Sequence, residues 1–180
     1  MNTVRFELSD PESRPASDLI AAMRVELNDV YETFSRLDNP PLAPSELRAP
    51  GGAYVVGYVG SEAVAGGGVR RLEDGVAEIK RMYVRPDARS RGVARALLEA
   101  LEAAARSLGY LAVRLDTGPK QVHALALYRS AGYADVAPYN DNPFACFWGE
   151  KRLDLATAAP GQNVQTSTTW PDSGRAPRPS

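Results

Sequence analysis

Three groups in this 180-residue chain have the residue types and spacing for joint chemistry. The first is the turn Arg89, Ser90, Arg91, Gly92, Val93, Ala94, which stands between an apolar strand and an amphipathic helix. The first N–H groups of a helix lack intrahelical partners, and the helix dipole places positive charge there. A glycine-bearing turn at that point therefore cradles an anion such as a diphosphate. Arg85, Arg89, Arg91 and Arg95 against the single Asp87 give this segment a local net charge of +3. The second group is Glu78, set in the apolar run Val76-Ala77-Glu78-Ile79. Burial there would raise a carboxyl pKa toward the working pH. The third is Tyr128, in the helical stretch Ala126-Leu127-Tyr128-Arg129, a phenol that titrates at about 10 when unperturbed.

These groups need elements to hold them. Alternation and turn chemistry predict strands over residues 3–8, 53–59, 63–72, 76–84, 111–116, 133–136 and 144–153. Residues 19–37 read as a helix opened by Pro15 and Ser17 or Asp18, with Leu19, Met23, Leu27 and Val30 on one face and Asn39-Pro40-Pro41 as its stop. Residues 42–52 read as loop. After the basic turn, Leu97, Leu101, Ala104 or Ala105, and Leu108 mark the buried face of a second helix, with Gly109 as a left-handed cap. Arg95 to Glu99 and Glu102 to Arg106 are opposite charges four apart, expected on its solvent side. Residues 121–131 form a further helix capped by Gly132.

This order, with Arg89, Gly92 and Ala94 at the turn, resembles the GCN5-related N-acetyltransferase (GNAT) superfamily over residues 3–155. The family motif is Gln or Arg, two residues, Gly, one residue, then Gly or Ala. Leu127-Tyr128 followed by Gly132-Tyr133 resembles its recurring Leu-Tyr…Gly-aromatic pattern. The resemblance implies an α/β (α+β) GNAT fold, with a mixed, mostly antiparallel central sheet of six to seven strands flanked by about four helices. It implies a GNAT domain over residues 1–155, followed by a Pro/Ser/Thr-rich tail, 156–180, whose composition cannot offset its ordering entropy.

The same resemblance implies acetyl-CoA as co-substrate and transfer of its acetyl group to a primary amine by direct attack. The coenzyme would be held by the turn and first helical residues Arg89, Ser90, Arg91, Gly92, Val93, Ala94 and Arg95. Backbone of Met82, Tyr83 and Val84 would hold the pantetheine arm. Gln121 stands where relatives often carry an asparagine that contacts the coenzyme. Glu78, eleven residues before Arg89, matches the general-base position of the histone-acetylating branch, acting directly or through water. Tyr128 matches the tyrosine that approaches the coenzyme sulfur and would protonate the leaving thiolate. On its residues alone, Glu78 could instead pair with Arg70, Arg71, Lys80 or Arg81 across the sheet, and Tyr128 could be a packed aromatic. A non-catalytic acyl-CoA-binding sensor or interaction module would keep the turn and need neither.

Composition narrows the partners. A net charge of -1 gives no general affinity for nucleic acid. The first fifty residues carry nine acids against five bases, which would favour a cationic acceptor if they border the cleft. One cysteine, no leader-like N-terminus and no membrane-length apolar run fit a cytoplasmic protein acting on a small-molecule or peptide amine, as monomer or homodimer. Cys146, in the run Phe144-Ala145-Cys146-Phe147-Trp148, is expected to be a packed thiol. One histidine and one cysteine make no zinc site, so no metal is expected. His123 reads as a surface residue and Asp116 as a turn cap, while Glu26 and Tyr31 are the kind of residue that lines an acceptor site. The acceptor loops are expected around residues 34–51 and 137–142.

Overall fold

Apolar runs of β-branched and aromatic residues, separated by tight turns, build the first half of the sheet. In the computed structural model of the chain, which describes residues 4–32 and 42–153, β1 (Val4–Ser9), β2 (Ala53–Val59), β3 (Glu62–Glu73) and β4 (Val76–Val84) form an antiparallel meander. Gly60 and Gly75 take the positive φ that the two hairpin turns require. The chain then crosses over through α2 (Val93–Ser107) and returns as β5 (Ala112–Thr117), parallel to β4. After α3 (Val122–Ser130), β6 (Ala134–Asp135) and β7 (Phe147–Arg152) add antiparallel strands. The sheet order is β1-β2-β3-β4-β5-β7-β6.

The sheet has two differently covered faces. On one, Leu97, Leu98, Leu101 and Ala105 of α2 pack with Val69, Ile79, Val113, Leu115, Tyr128 and Phe147 into the main core. On the other, α1 (Ala16–Tyr31) and the short 3-10 turn Pro44–Leu47 seat Leu19, Ile20 and Leu47 on Tyr54 and Val56. Gly109 and Gly132 close α2 and α3 as expected. Each has positive φ, and the residues after them, Tyr110 and Tyr133, donate back to Ala105 and Tyr128 in paired Schellman bonds.

The expected strand boundaries agree within one or two residues, except that β7 starts three residues later than expected. Three α-helices lie among the described residues. The expected extension of α1 past residue 32, and the tail from residue 154, fall outside the described residues. One charge pattern is corrected. Glu102 is buried, 3% exposed, because Lys151 of β7 reaches it at 2.8 and 2.9 Å and the Tyr133 hydroxyl donates to it at 3.2 Å. Arg95 turns from Glu99 to donate to the Ser130 hydroxyl at 2.6 Å, tying α2 to α3.

The C-terminal end of α1 docks on the loop after β5 with almost no clearance. A Cβ on Gly118 would lie 2.1 Å from the Tyr31 hydroxyl and 2.5 Å from the Phe144 carbonyl oxygen. The tyrosine can swing aside, but the carbonyl belongs to the backbone. Gly118→Ala is expected to cost about 1–3 kcal/mol in urea unfolding, and a neutral result would mean that the α1 end does not seat here.

Candidate active site

The site begins where β4 and β5 part. Their ladder holds only three pairs, Val76 with Ala112, Ala77 with Val113 and Glu78 with Arg114, although β4 runs on to Val84. Between Ile79 and Val84 the β5-facing edge of β4 has no strand partner. On its other edge the register against β3 slips between Gly68–Lys80 and Gly66–Tyr83. The extra residue produces a bulge, with Arg81 at φ 55°. A bulge opposite a splay turns backbone groups toward an opening, where a ligand can take them up.

Tyr128 of α3 closes that opening from the core side. Its side chain is buried, its ring lies 5.9 Å from that of Tyr133, and its hydroxyl sits 3.8 Å from the Met82 sulfur. Burial, reinforced by the Asp116 charge, pushes the phenol pKa above its ordinary value.

The phosphate turn follows the end of β4 after the 3-10 turn Pro86–Ala88. Gly92 is the N-cap of α2 at φ 79°, Ser90 has φ 60°, and no side chain caps the helix. The first amide bonded back along the chain is that of Ala96, to the Gly92 carbonyl. The N–H groups of Val93, Ala94 and Arg95 therefore face out of the helix end. No atom lies within 4 Å of where a Gly92 Cβ would stand, so the space over the cradle is open. Arg91 makes no ion pair or hydrogen bond among the described residues.

Arg89 is held inward. Its Nε donates to the Val84 carbonyl at 2.9 Å, Nη2 meets both Glu26 oxygens at 2.8 and 2.7 Å, and its guanidinium lies over the Tyr83 ring. It thus straps the turn to β4 and α1. Gln121, just before α3, accepts from the Thr117 hydroxyl at 3.1 Å through its amide oxygen.

Glu78 lies in a buried ionic cluster and is itself 0% exposed. Arg70 donates to its Oε2 from Nε and lies within 2.7 Å through Nη2. Lys80 Nζ is 3.0 Å and Asn140 Nδ2 3.3 Å from Oε1. Arg70 also donates to Glu46 at 2.6 Å, and Lys80 reaches Asp116 at 3.1 Å. Asp116 is further held by Asn140 at 2.9 Å and Asn142 at 3.0 Å. The indole N–H of Trp148 fixes the Asn140 carbonyl at 2.9 Å. Burial pushes Asp116 up, but the Lys80 ammonium and the two asparagine donors outweigh it and hold the carboxyl below its usual range. Burial likewise opposes the Lys80 charge, and Asp116 and Glu78 overcome it and raise the lysine pKa. Tyr139 packs beside this cluster, with its phenol pKa driven up by burial and by the Glu78 and Asp116 charges.

Two further expectations are corrected. Asp116 does not cap the turn after β5, because Lys80 and two asparagines draw its side chain into the cluster. Cys146 is exposed rather than packed. Its amide donates to the Thr117 carbonyl, while alternate residues, Phe147 among them, take the core positions. His123 is exposed on α3, as read. An open cavity of about 630 Å³ lies under the first turns of α1, against Tyr83 and Arg85, away from the Glu78 cluster. No group of three or more metal-ligating side chains occurs among the described residues, and no helix there is long and apolar enough to cross a membrane.

Residues 19–133 match the sequence profile of the Acetyltransferase (GNAT) family. The chain is 33% identical over 153 residues to the IAA acetyltransferase of Azospirillum brasilense, covering 82% of this chain and 97% of that protein. The chain belongs to the GNAT acetyltransferase family. A candidate acyl-CoA N-acyltransferase from Klebsiella pneumoniae superposes with a TM-score of 0.67 at 31% identity, covering 86% of this chain and all of that one. The PaiA N-acetyltransferase of Thermoplasma acidophilum, solved with coenzyme A, shares the GNAT fold at TM-score 0.64 and 15% identity, over 83% of this chain and 99% of that one. Within this GNAT chain the predicted residues fall into two groups. Met82, Tyr83 and Val84 lie on the stretch of β4 that has no β5 partner, with Tyr128 against Met82 and the turn following that strand, and Glu78 stands at the last ladder pair in a buried cluster whose other members come from separate segments.

Proposed function

We propose that this GNAT chain is an acetyl-CoA-dependent N-acetyltransferase acting on a primary amine by direct attack. The observation that carries the reading is the splay of β4 from β5, with Tyr128 at its inner end and the open cradle of Gly92 at its mouth. Bound acetyl-CoA supplies an activated thioester. The amides of Val93, Ala94 and Arg95, with the Arg91 side chain, would take its diphosphate. Backbone of Met82, Tyr83 and Val84 would hold the pantetheine arm, and Gln121 has an amide group to contribute nearby.

The acceptor nitrogen attacks the carbonyl carbon, the carbon–sulfur bond breaks, and Tyr128 gives its proton to the departing thiolate. The proton released from the nitrogen goes to Glu78. Since Glu78 has no exposed surface, that proton arrives through water admitted when the acceptor binds. The acceptor class stays broad: a small-molecule or peptide amine.

The test is calorimetric titration of acetyl-CoA into the wild type and Gly92→Ala. Wild-type binding is expected in the micromolar range. Gly92→Ala is expected to lose about 1 kcal/mol of stability from its left-handed backbone. It should also lose at least about tenfold in acetyl-CoA affinity, because the new methyl group holds the backbone off the phosphates. No binding to the folded wild type would remove the reading. The sealing of Glu78 favours one alternative, a non-catalytic acyl-CoA-binding module, and binding without turnover across an amine panel would select it.

A further inference from the structure

Beyond Glu78 and Arg114 nothing in the backbone joins β4 to β5, yet one side chain does. Lys80 stands two residues past the last ladder pair on β4, and Asp116 two residues past it on β5. The Lys80 ammonium spans the gap, 3.1 Å from Asp116 Oδ1 and 3.0 Å from Glu78 Oε1. Both acceptors are sealed, with Glu78 0% and the Asp116 side chain 7% exposed. Desolvated charge pairs of this kind are strong geometric constraints, because withdrawing one partner strands the other in a poor solvent.

The remaining donors in the cluster cannot replace it. Arg70 lies on the far side of Glu78, on β3, and is shared with Glu46. Asn140 touches both carboxylates, at 3.3 and 2.9 Å, but comes from the loop before β7 and bears no charge. Lys80 is the cation that joins a β4 carboxylate to a β5 carboxylate at this level.

We infer that Lys80 is a positioning residue whose ammonium straps β4 to β5 at the inner end of the splay and sets the width of the slot beside Met82. The inference rests on the reading of that slot as the acetyl-CoA site. Its role is mechanical: a slot of fixed width keeps a bound thioester in reach of Tyr128, and misplacement by about 1 Å can cost on the order of a hundredfold in rate.

Hydrogen exchange and acetyl-CoA titration test it together on the full chain. In Lys80→Met, amides of residues 79–84 and 115–117 are expected to exchange about tenfold faster relative to those of β1 and β2, with a similar loss of acetyl-CoA affinity. Lys80→Arg, which can still bridge the two carboxylates, should keep both within about threefold of wild type. Unchanged local exchange in folded Lys80→Met overturns the inference. If Lys80→Met does not fold, Lys80→Met with Asp116→Asn removes the stranded carboxylate while still lacking the strap. Faster exchange in that double variant supports the inference. Wild-type exchange and affinity in it would mean that charge balance alone matters, which overturns the inference. A wild type that fails to bind acetyl-CoA sinks the proposed function, whereas the exchange readout still judges the strap.

Discussion

Replacing Glu78 by glutamine is expected to lower kcat by about a hundredfold or more, the usual contribution of a positioned general base, and to destabilise the fold by about 3 kcal/mol, as breaking a buried ion pair does. The two effects have separate causes. Glu78 is fully buried with Arg70 on one oxygen and Lys80 on the other. An amide oxygen can still accept from Arg70, but the amide nitrogen then faces the Lys80 ammonium, donor against donor. The stability loss should therefore appear in urea unfolding with no substrate present. The kinetic loss should appear as a fall in kcat at saturating amine, measured at a temperature where the variant is fully folded. A variant that is destabilised yet turns over at the wild-type rate would leave Glu78 as a structural anion and remove it from the chemistry.

The pH dependence of stability carries a sign. Asp116 has its carboxyl pKa held below the usual value by its partners in the folded chain. Its contribution is therefore present above the unfolded carboxyl pKa of about 3.9 and is lost as pH falls through the lower, folded value.

The order of elements and the phosphate turn could be read from the chain because each rests on local chemistry. Hairpin glycines, the period of Leu97 and Leu101, and the caps at Gly109 and Gly132 act within a few residues of themselves. The splay has no such local signature: β4 leaves β5 after Glu78, and no pattern of residue types marks that point or the bulge at Arg81 that follows it. Charge partners were harder still. The four-residue spacing of Glu102 and Arg106 suggests a solvent face, and the two do meet at 3.7 Å, yet Lys151, 49 residues away, holds Glu102 more closely in a buried place. Glu78 could be paired in sequence with any of four cations, and the structure uses Arg70 and Lys80. Asn140, Asn142 and Asp116 complete its surroundings from a loop without period and a strand end. Side chains that converge from separated irregular segments leave no trace in one-dimensional spacing.

Tyr128→Phe is expected to lower kcat by about a hundredfold, within the range of a lost general acid, while leaving acetyl-CoA affinity within about twofold and stability within about 1 kcal/mol. Stability should barely move because the hydroxyl's partner in the described structure is the Met82 sulfur at 3.8 Å, a weak acceptor. The phenyl ring of phenylalanine fills the same place against Tyr133. The rate should fall because the Tyr128 hydroxyl stands beside Met82, where the thiolate would form, and phenylalanine has no proton to give it. Burial raises the Tyr128 pKa, so the phenol stays protonated through and beyond the ordinary tyrosine range. Wild-type kcat should accordingly show no alkaline fall from this group below pH of about 10. A more acidic leaving thiol sharpens the test: with acyl donors of falling thiol pKa, the gap between Tyr128→Phe and wild type should close, because a good leaving group needs less protonation. A gap that stays constant across the donor series would mean that the hydroxyl acts on packing or binding and not on the departing sulfur.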